Sequence, residues 1–204
     1  MMRDRVRWSA GLALVTALGC LAGVPSAQAE DEPRPTDATL LKKCDNGTKS
    51  CTFHPSGPAT DYRGDDRQVG DFAYNCTSLP QRSGITWSDT TEQSNSLGLS
   101  MTVGTGWSGV FMVSVTTSYE RTWKKAHTES ATTFVDVRPG KVGWVERAPR
   151  MQKVKGTYEL IFKDEFHGRR YWYVPFTAKA PVGTSVKSQH TRPMTKKEKA
   201  TLCS

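Results

Sequence analysis

The amino-acid sequence predicts a mainly β protein, built of elongated, antiparallel, twisted sheets and closed by a short C-terminal helix. Apolar and polar residues alternate with a period of two in several long segments, which is typical of half-buried strands. No stretch of the body after residue 29 keeps a helical period. The exception is the tail, 193–204, where Thr195 and Glu198 match a capping box at a helix start. Long strands that follow one another directly favour antiparallel pairing.

The N-terminal residues 1–29 are predicted to form a signal peptide. Three arginines precede an apolar run over residues 10–24, and Ala27-Gln28-Ala29 has the small-x-small pattern of a cleavage site. An uncleaved anchor helix and lipid attachment at Cys20 are the alternatives. The pattern predicts a secreted, extracellular protein.

The rest of the chain divides by composition into four parts. Residues 30–41 are acidic and contain proline, which predicts a flexible leader, and residues 42–83 form a cystine-containing, loop-rich region. Residues 84–192 are predicted to be a Ser/Thr-rich antiparallel β domain, followed by the helical tail at 193–204. The full chain has a formal net charge of +8, but no long Lys/Arg block, so nucleic acid is not expected as a partner.

Four cysteines remain once Cys20 is set aside, and an even number in an exported protein indicates two disulfides. Three pairings are possible. The short spacing favours Cys44–Cys51, which leaves Cys76–Cys203 to tie the C-terminus to the early part of the domain. A zinc site is disfavoured because the sequence has neither a C-x-x-C pair nor a close Cys/His cluster.

The clearest alternation predicts a β-hairpin, with strands at Asn95–Gly104 and Val110–Thr122 joined by a Gly-rich connection. One face of the first strand is apolar, whereas the other carries only Ser, Thr and Gly. The predicted apolar face and hairpin tip consist of Leu97, Leu99, Met101, Val103, Trp107, Phe111, Val113 and Val115.

No catalytic motif is found in the sequence. Gly104-x-Gly106-x-x-Gly109 fits the dinucleotide fingerprint as a pattern, but a predicted strand follows it where a helix is needed. The histidines are scattered, and neighbouring carboxylates fall in turn-like segments. We therefore expect no catalytic residue, no metal, no cofactor and no enzyme activity.

The order of these segments resembles the aerolysin and ETX/MTX2 superfamily of secreted β-pore-forming proteins. The resemblance rests on a Ser/Thr strand (Thr86–Ser96), the amphipathic hairpin (Leu97–Tyr119), a second Ser/Thr strand (Thr122–Thr133) and the Pro139-Gly140 turn. It extends over about Gly84–Phe176 and depends on composition and order, not on a short motif.

The resemblance implies a tucked-in hairpin that unpacks into a transmembrane barrel when copies of the chain assemble on a target-cell membrane. The apolar face listed above would then face lipid, and Trp107 would lie at the tip. Two features depart from the family pattern. No separate receptor-binding domain is visible, unless Lys42–Gln81 serves as one, and the charges from Glu120 to Lys125 limit the length that can insert. The alternative is a soluble β-sandwich that acts as a binding protein or inhibitor without membrane insertion.

Overall fold

The computed structural model describes residues 33–101, 104 and 106–203. The predicted signal peptide at 1–29 and the hairpin residue Val103 lie outside the described residues.

The described residues form a mainly antiparallel β fold that ends in a short helix, as the sequence predicts. In chain order the elements are α1 (Asp37–Lys42), β1 (Ser50–Pro55), β2 (Thr60–Arg63), β3 (Arg67–Tyr74), β4 (Gln81–Glu92), β5 (Ser94–Asn95), α2 (Gly106–Tyr119), β6 (Ala126–Val137), β7 (Lys141–Ala148), β8 (Arg150–Phe166), β9 (Arg169–Pro181), β10 (Val186–Pro193) and α3 (Lys196–Leu202).

The strands form three sheets, and every pairing among them is antiparallel. The large sheet has the order β1-β8-β9-β5, with β2 also paired to β8. A three-stranded sheet has the order β10-β7-β3. The third sheet consists of β4 and β6 alone, and the turn at Gly140, with φ +69°, leads from β6 into β7.

One face of the large sheet carries the main core. Alternate residues of β8 and β9 point into it, and both helices α1 and α2 cover it. Its buried side chains include Val154, Tyr158, Leu160, Trp172, Val174 and Phe176. The alternation that the sequence shows in several long segments therefore matches the burial of β8 and β9.

Helix α1 corrects the predicted flexible leader at residues 30–41. Thr36 caps the helix by accepting a hydrogen bond from the Thr39 backbone N–H at 3.1 Å, and Leu40 and Leu41 are fully buried in the main core. Acidic and proline residues dominate the composition of this stretch and obscure two leucines, whose burial orders its second half.

A second core lies between the two-stranded and the three-stranded sheets. It is apolar, and it forms where the inward faces of β4 and β6 meet β3 and β7. Its buried members are Val69, Ile85, Trp87, Val135, Val137 and Val145.

The C-terminal tail has the predicted capping box and disulfide. The Thr195 hydroxyl accepts from the Glu198 N–H at 3.1 Å, and the Glu198 carboxylate accepts from the Thr195 N–H at 2.7 Å. Cys203 is bonded to Cys76, with their Cα atoms 5.2 Å apart. The other bond, Cys44–Cys51, joins the end of the α1 region to β1, with 5.5 Å between the Cα atoms.

Candidate functional site

The chain between β4 and β6 is an insertion at the end of a hydrogen-bonded strand pair. The last pair of the ladder is Glu92 with Ala126, and the Gln93 N–H donates to the Lys125 carbonyl at 2.7 Å. The Trp123 indole N–H also donates to the Gln93 side-chain oxygen at 2.7 Å. We call residues 93–125 the inserted segment, since its two ends meet at neighbouring positions.

The first limb of the inserted segment is a turn, and the predicted strand Asn95–Gly104 is wrong in this structure. Among the described residues of this limb, only Ser94–Asn95 pairs as a strand, with β9. The Asn95 amide then donates to the Leu99 carbonyl at 2.6 Å and accepts from the backbone N–H groups of Leu97 and Leu99. This side chain satisfies backbone groups that a strand would offer to a partner.

The second limb is helix α2, so the predicted strand Val110–Thr122 and the predicted hairpin are also wrong in this structure. Trp107, Phe111 and Val115 recur every four residues, which places them on one helical face. This face is buried in the main core, where Phe111 meets aromatic rings on three sides. The centroid of the Phe111 ring lies 5.1 Å from the ring centroid of Phe53, 4.8 Å from that of Trp123 and 5.4 Å from that of Phe176.

The sequence of α2 disfavours the conformation that it adopts. Of the residues in Gly106–Tyr119, five are β-branched and two are glycine, and both kinds have lower helix propensity than Ala or Leu. No acidic residue occupies the first turn and no basic residue the last. Tertiary packing therefore holds α2 in its helical form, against a local preference for an extended strand.

Side-chain hydrogen bonds attach α2 to the large sheet. The buried Tyr158 hydroxyl donates to the Trp107 carbonyl at 2.8 Å, and the Ser114 hydroxyl donates to the carbonyl of Phe53 on β1 at 3.1 Å. Burial raises the pKa of Tyr158, which keeps its hydroxyl a neutral donor. These bonds would have to break for α2 to leave the sheet.

An open groove of about 440 Å³ runs between α2 and β1. Val113 stands at its edge with 68% of its surface exposed, which is unusual for a valine in this fold. The lining residues include Cys51, Thr52, Phe53, Val110, Val113, Ser114 and Thr117. The groove leaves one flank of α2 open to solvent.

The structure brings most of the predicted apolar residues to a single core, but not as the face of a hairpin. Those with little or no exposed surface are Met101, Trp107, Phe111 and Val115, while Leu97 and Leu99 are half-buried against the same cluster. Trp107 lies in the first turn of α2 and is only 7% exposed, so it is not an exposed tip.

A buried ionic cluster at the base of the inserted segment was missed by the sequence reasoning. Arg147 of β7 is only 1% exposed, and it donates to Glu129 at 2.8 Å, to Ser185 at 2.7 Å, to Thr91 at 3.0 Å and also to Asp89. An arginine on an alternating strand gave no signal that it points inward.

The carboxylates of this cluster belong to the strands from which the inserted segment leaves. Burial opposes ionisation of Glu129, but hydrogen bonds from Arg147 and from the Ser185 N–H outweigh it, and the pKa of Glu129 is lowered. Asp89 also accepts from Arg67 of β3 at 2.9 Å. The cluster therefore anchors β4 and β6 to the three-stranded sheet.

The exposed face of the β4–β6 pair carries a regular row of hydroxyl groups. Directly paired residues bring their side-chain oxygens together, as expected for cross-strand neighbours. The pairs are Thr86–Thr132 at 2.9 Å, Ser88–Ser130 at 2.8 Å and Thr90–Thr128 at 2.8 Å.

A separate aromatic cluster lies on the outer face of the three-stranded sheet. Trp144 stacks on His190 at 5.4 Å between centroids and meets Phe72 edge-on at 6.1 Å. Glu146 accepts from the Trp144 indole N–H at 2.9 Å and lies 3.2 Å from His190. Rings and a fixed carboxylate on one face could bind a polar ligand with an apolar side.

Neither a metal-ion cluster nor a helix able to cross a membrane is present in residues 33–101, 104 and 106–203. Within these ranges, no group of three or more His, Cys, Asp or Glu side chains is arranged to hold a metal ion. No helix in the same part of the chain has the length and apolar character to cross a membrane.

Comparison with known proteins places this chain in no family. No family model matches it, and no curated protein matches it. The crystal structure of the parasporin-2 Bacillus thuringiensis toxin, described as recognising cancer cells, matches with a TM-score of 0.27 and 13% sequence identity. The match covers 72% of this chain and 73% of the toxin chain. So low a score carries no argument, and the aerolysin-like assignment stays a prediction.

Proposed function

We propose that this protein is an exported, aerolysin-like β module that permeabilises a target-cell membrane. In this proposal the inserted segment leaves the large sheet, refolds as an amphipathic β-hairpin and joins equivalent hairpins of other copies in a barrel. One observation carries the proposal: a segment with alternating, strand-like sequence is held as a helix between two strands that already pair with each other. Disagreement between local preference and observed structure is expected at functional sites.

The two ends of the segment are already positioned for a hairpin. The β4–β6 ladder runs without a register shift to Glu92 and Ala126, and the Gln93–Lys125 hydrogen bond extends it by one step. The ladder could grow from its existing end, one residue pair after another. No separate strand pairing would have to form first. The nucleus of the proposed hairpin is therefore present in the folded protein.

The free-energy balance explains why the segment stays packed in water. Releasing Met101, Trp107, Phe111 and Val115 would expose four buried side chains, at about 1.5–3 kcal/mol for each. Hydrocarbon removes this penalty, because the same side chains are then buried in lipid. Leu97, Leu99 and Val113, together with these four, would form the lipid-facing side of the hairpin.

Assembly follows from the backbone. A single hairpin in lipid would leave unsatisfied N–H and C=O groups along both edges, at several kcal/mol for each group. Only a closed barrel satisfies all of them, and one hairpin for each chain is too few strands to close. The proposal therefore includes homo-oligomerisation, with no nucleic acid or cofactor involved.

Export is part of the same proposal. Two disulfides join four cysteines, which is the usual state of cysteines in oxidising compartments. The cleavage pattern at residues 27–29 supplies the corresponding signal in the sequence.

A reversible tether tests the proposed movement. Ser96 and Thr177 lie opposite each other, since the Ser96 N–H donates to the Thr177 carbonyl at 2.8 Å and the Thr177 N–H donates to the Ser96 hydroxyl at 3.1 Å. Directly opposite residues have Cα atoms about 5.5 Å apart, which suits a disulfide. The double variant Ser96→Cys, Thr177→Cys should fold normally when oxidised.

We expect the oxidised tether to abolish dye release from phosphatidylcholine–cholesterol vesicles and from vesicles with added phosphatidylserine. The matched control is Thr90→Cys, Thr128→Cys, which cross-links the strand pair that stays intact in the proposal and should leave dye release unchanged. Dye release by the tethered protein at the wild-type rate would refute the movement, and so would absence of SDS-resistant oligomers from permeabilised vesicles.

The aromatic cluster favours a second candidate function, ligand binding without membrane insertion. Trp144, Phe72 and Glu146 offer ring surface and a carboxylate, a combination suited to a sugar. If this function holds, Trp144→Ala should abolish binding on a glycan array while the oxidised tether has no effect on binding. No binding by the wild-type protein to any glycan on the array would exclude it.

A further inference from the structure

The register of the β4–β6 ladder extends into the inserted segment and identifies the side chains that would line the channel. The ladder consists of twelve consecutive pairs, and the two residue numbers of every pair add up to 218. The Gln93–Lys125 hydrogen bond obeys the same rule. A ladder that grows without a bulge keeps this register, because a slip would break the pairs already made.

We infer from this register that Glu120 faces the channel lumen and sets its preference for cations. The inference rests on the proposed function and adds to it the residue that selects the permeant ion.

The faces follow from the parity of the residue numbers. Even-numbered residues of β4 and β6 form the exposed row of hydroxyl pairs, and odd-numbered ones, such as Trp87 and Val135, point into the second core. In the described part of the inserted segment most apolar residues, such as Leu97, Leu99 and Phe111, are odd-numbered, and the even-numbered exceptions Val110 and Met112 lie beside the Gly-rich connection. Apolar side chains face lipid in a barrel, so the even-numbered residues face its lumen.

The pairing itself supports the register. The rule pairs Ser96 with Thr122 and Ser100 with Ser118, which continues the row of hydroxyl pairs from the folded ladder. It also pairs the small Gly98 with Glu120. A glycine opposite Glu120 leaves room for its side chain and for a hydrated ion.

Position along the strand separates Glu120 from the other charges. A membrane-spanning strand needs about 9–11 residues, and residues 111–121 supply that length. Glu120 lies within this span, near the end that leads to β6. Lys124 lies about 13 Å further along the strand, outside the span and nearer the β4–β6 pair. A carboxylate between low-dielectric walls dominates the local potential, so a ring of Glu120 side chains favours cations.

The present conformation of Glu120 is consistent with such a rearrangement. Its backbone has φ +52°, in the left-handed region that a non-glycine residue adopts at a cost, and it ends α2 through a bond from its N–H to the Thr116 carbonyl. An extended strand would relieve this strain. Arg121, the next residue, would fall on the lipid side opposite Leu97, where its long side chain can reach the interface.

Ion selectivity in planar bilayers tests the inference. With a KCl gradient, wild-type channels should show a reversal potential of cation-selective sign, Glu120→Gln should move it towards zero, and Glu120→Lys should reverse its sign. Arg121→Gln is the matched control, since it changes the adjacent charge on the opposite face and should leave the reversal potential unchanged. A shift with Arg121→Gln and none with Glu120→Gln would overturn the inference.

Cross-linking tests the register independently of charge. On vesicles, the double variant Ser100→Cys, Ser118→Cys should form an intramolecular disulfide, whereas Ser100→Cys, Thr116→Cys, displaced by one step on the same face, should not. If the second pair cross-links and the first does not, the register is wrong although permeabilisation stands. If the wild-type protein forms no channel at all, the proposed function fails with it.

Discussion

Strands β8 and β9 and helix α2 contribute to the same core in opposite ways. In β8 and β9, alternating residues such as Tyr158 and Val174 point inward, so local pattern and fold agree. In α2 a sequence that alternates less regularly, with an apolar run at 110–113, is wound into a helix that buries Trp107, Phe111 and Val115. One core can therefore contain strands whose local sequence favours their structure, together with a helix whose local sequence does not favour a helix.

The largest expected effect comes from removing one aromatic ring from each side of this core. Phe176→Ala in β9 and Phe111→Ala in α2 should each lower the free energy of unfolding by about 3–5 kcal/mol, since both rings are buried. The consequences should differ in hydrogen exchange. Phe176→Ala should speed exchange throughout the large sheet, whereas Phe111→Ala should do so mainly in α2. If both variants speed hydrogen exchange equally in the large sheet and in α2, the proposed difference between the strands β8 and β9 and the helix α2 does not hold.

Breaking the ionic anchor should have a comparable effect on the strand pair that carries the inserted segment. Arg147→Leu leaves Asp89 and Glu129 without their buried partner and should destabilise the domain by about 3–5 kcal/mol in urea unfolding. The control is Arg121→Leu, which removes an exposed ion pair with Asp61 and should change stability by at most about 1 kcal/mol. Similar losses in the two variants would contradict the anchoring role.

A smaller effect sharpens the contrast between α2 and its sequence. Thr117→Ala, on the exposed side of α2, replaces a β-branched residue with the best helix former and should stabilise the protein by about 0.5 kcal/mol. It should also slow dye release, because it favours the packed form. The control is Thr132→Ala in strand β6, which removes the hydrogen bond with Thr86. It should neither stabilise the protein nor slow dye release. Faster dye release by Thr117→Ala would contradict the account.

The smallest effect concerns pH and lies far from α2. The hydrogen bond from Arg192 lowers the pKa of Glu198 to about 2. A depressed folded-state pKa stabilises the protein above the unfolded-state value of 4.5, and this contribution is lost as the pH falls towards 2. Melting temperatures should therefore differ between wild type and Glu198→Gln at pH 6 and converge near pH 2. A difference in melting temperature that stays constant between pH 6 and pH 2 would contradict the lowered pKa of Glu198.

Sequence reasoning succeeded where local and tertiary preferences coincide. The capping box at Thr195, the Pro139-Gly140 turn and the long strands β8 and β9 are all set by nearby residues. The two disulfides were favoured by spacing and are present in the structure.

The failures have one physical cause, which is tertiary contact that overrides local pattern. Alternation at 110–119 cannot reveal that Trp107, Phe111 and Val115 also share a helical face with a place in the core. Likewise, Leu40 and Leu41 are hidden in an acidic stretch, and the partners of Arg147 come from distant strands. The proposed hairpin residues remain a prediction for the membrane-bound form.

The central claim is that α2 becomes an extended strand on the membrane, and a distance within α2 tests it most directly. Spin labels on Val113→Cys and Thr117→Cys, both on the exposed side of the helix, span four residues. This spacing corresponds to about 6 Å along a helix and about 13 Å along a strand. The account predicts the short distance in solution and the long one in vesicle-bound oligomers. The short distance in both states would contradict it.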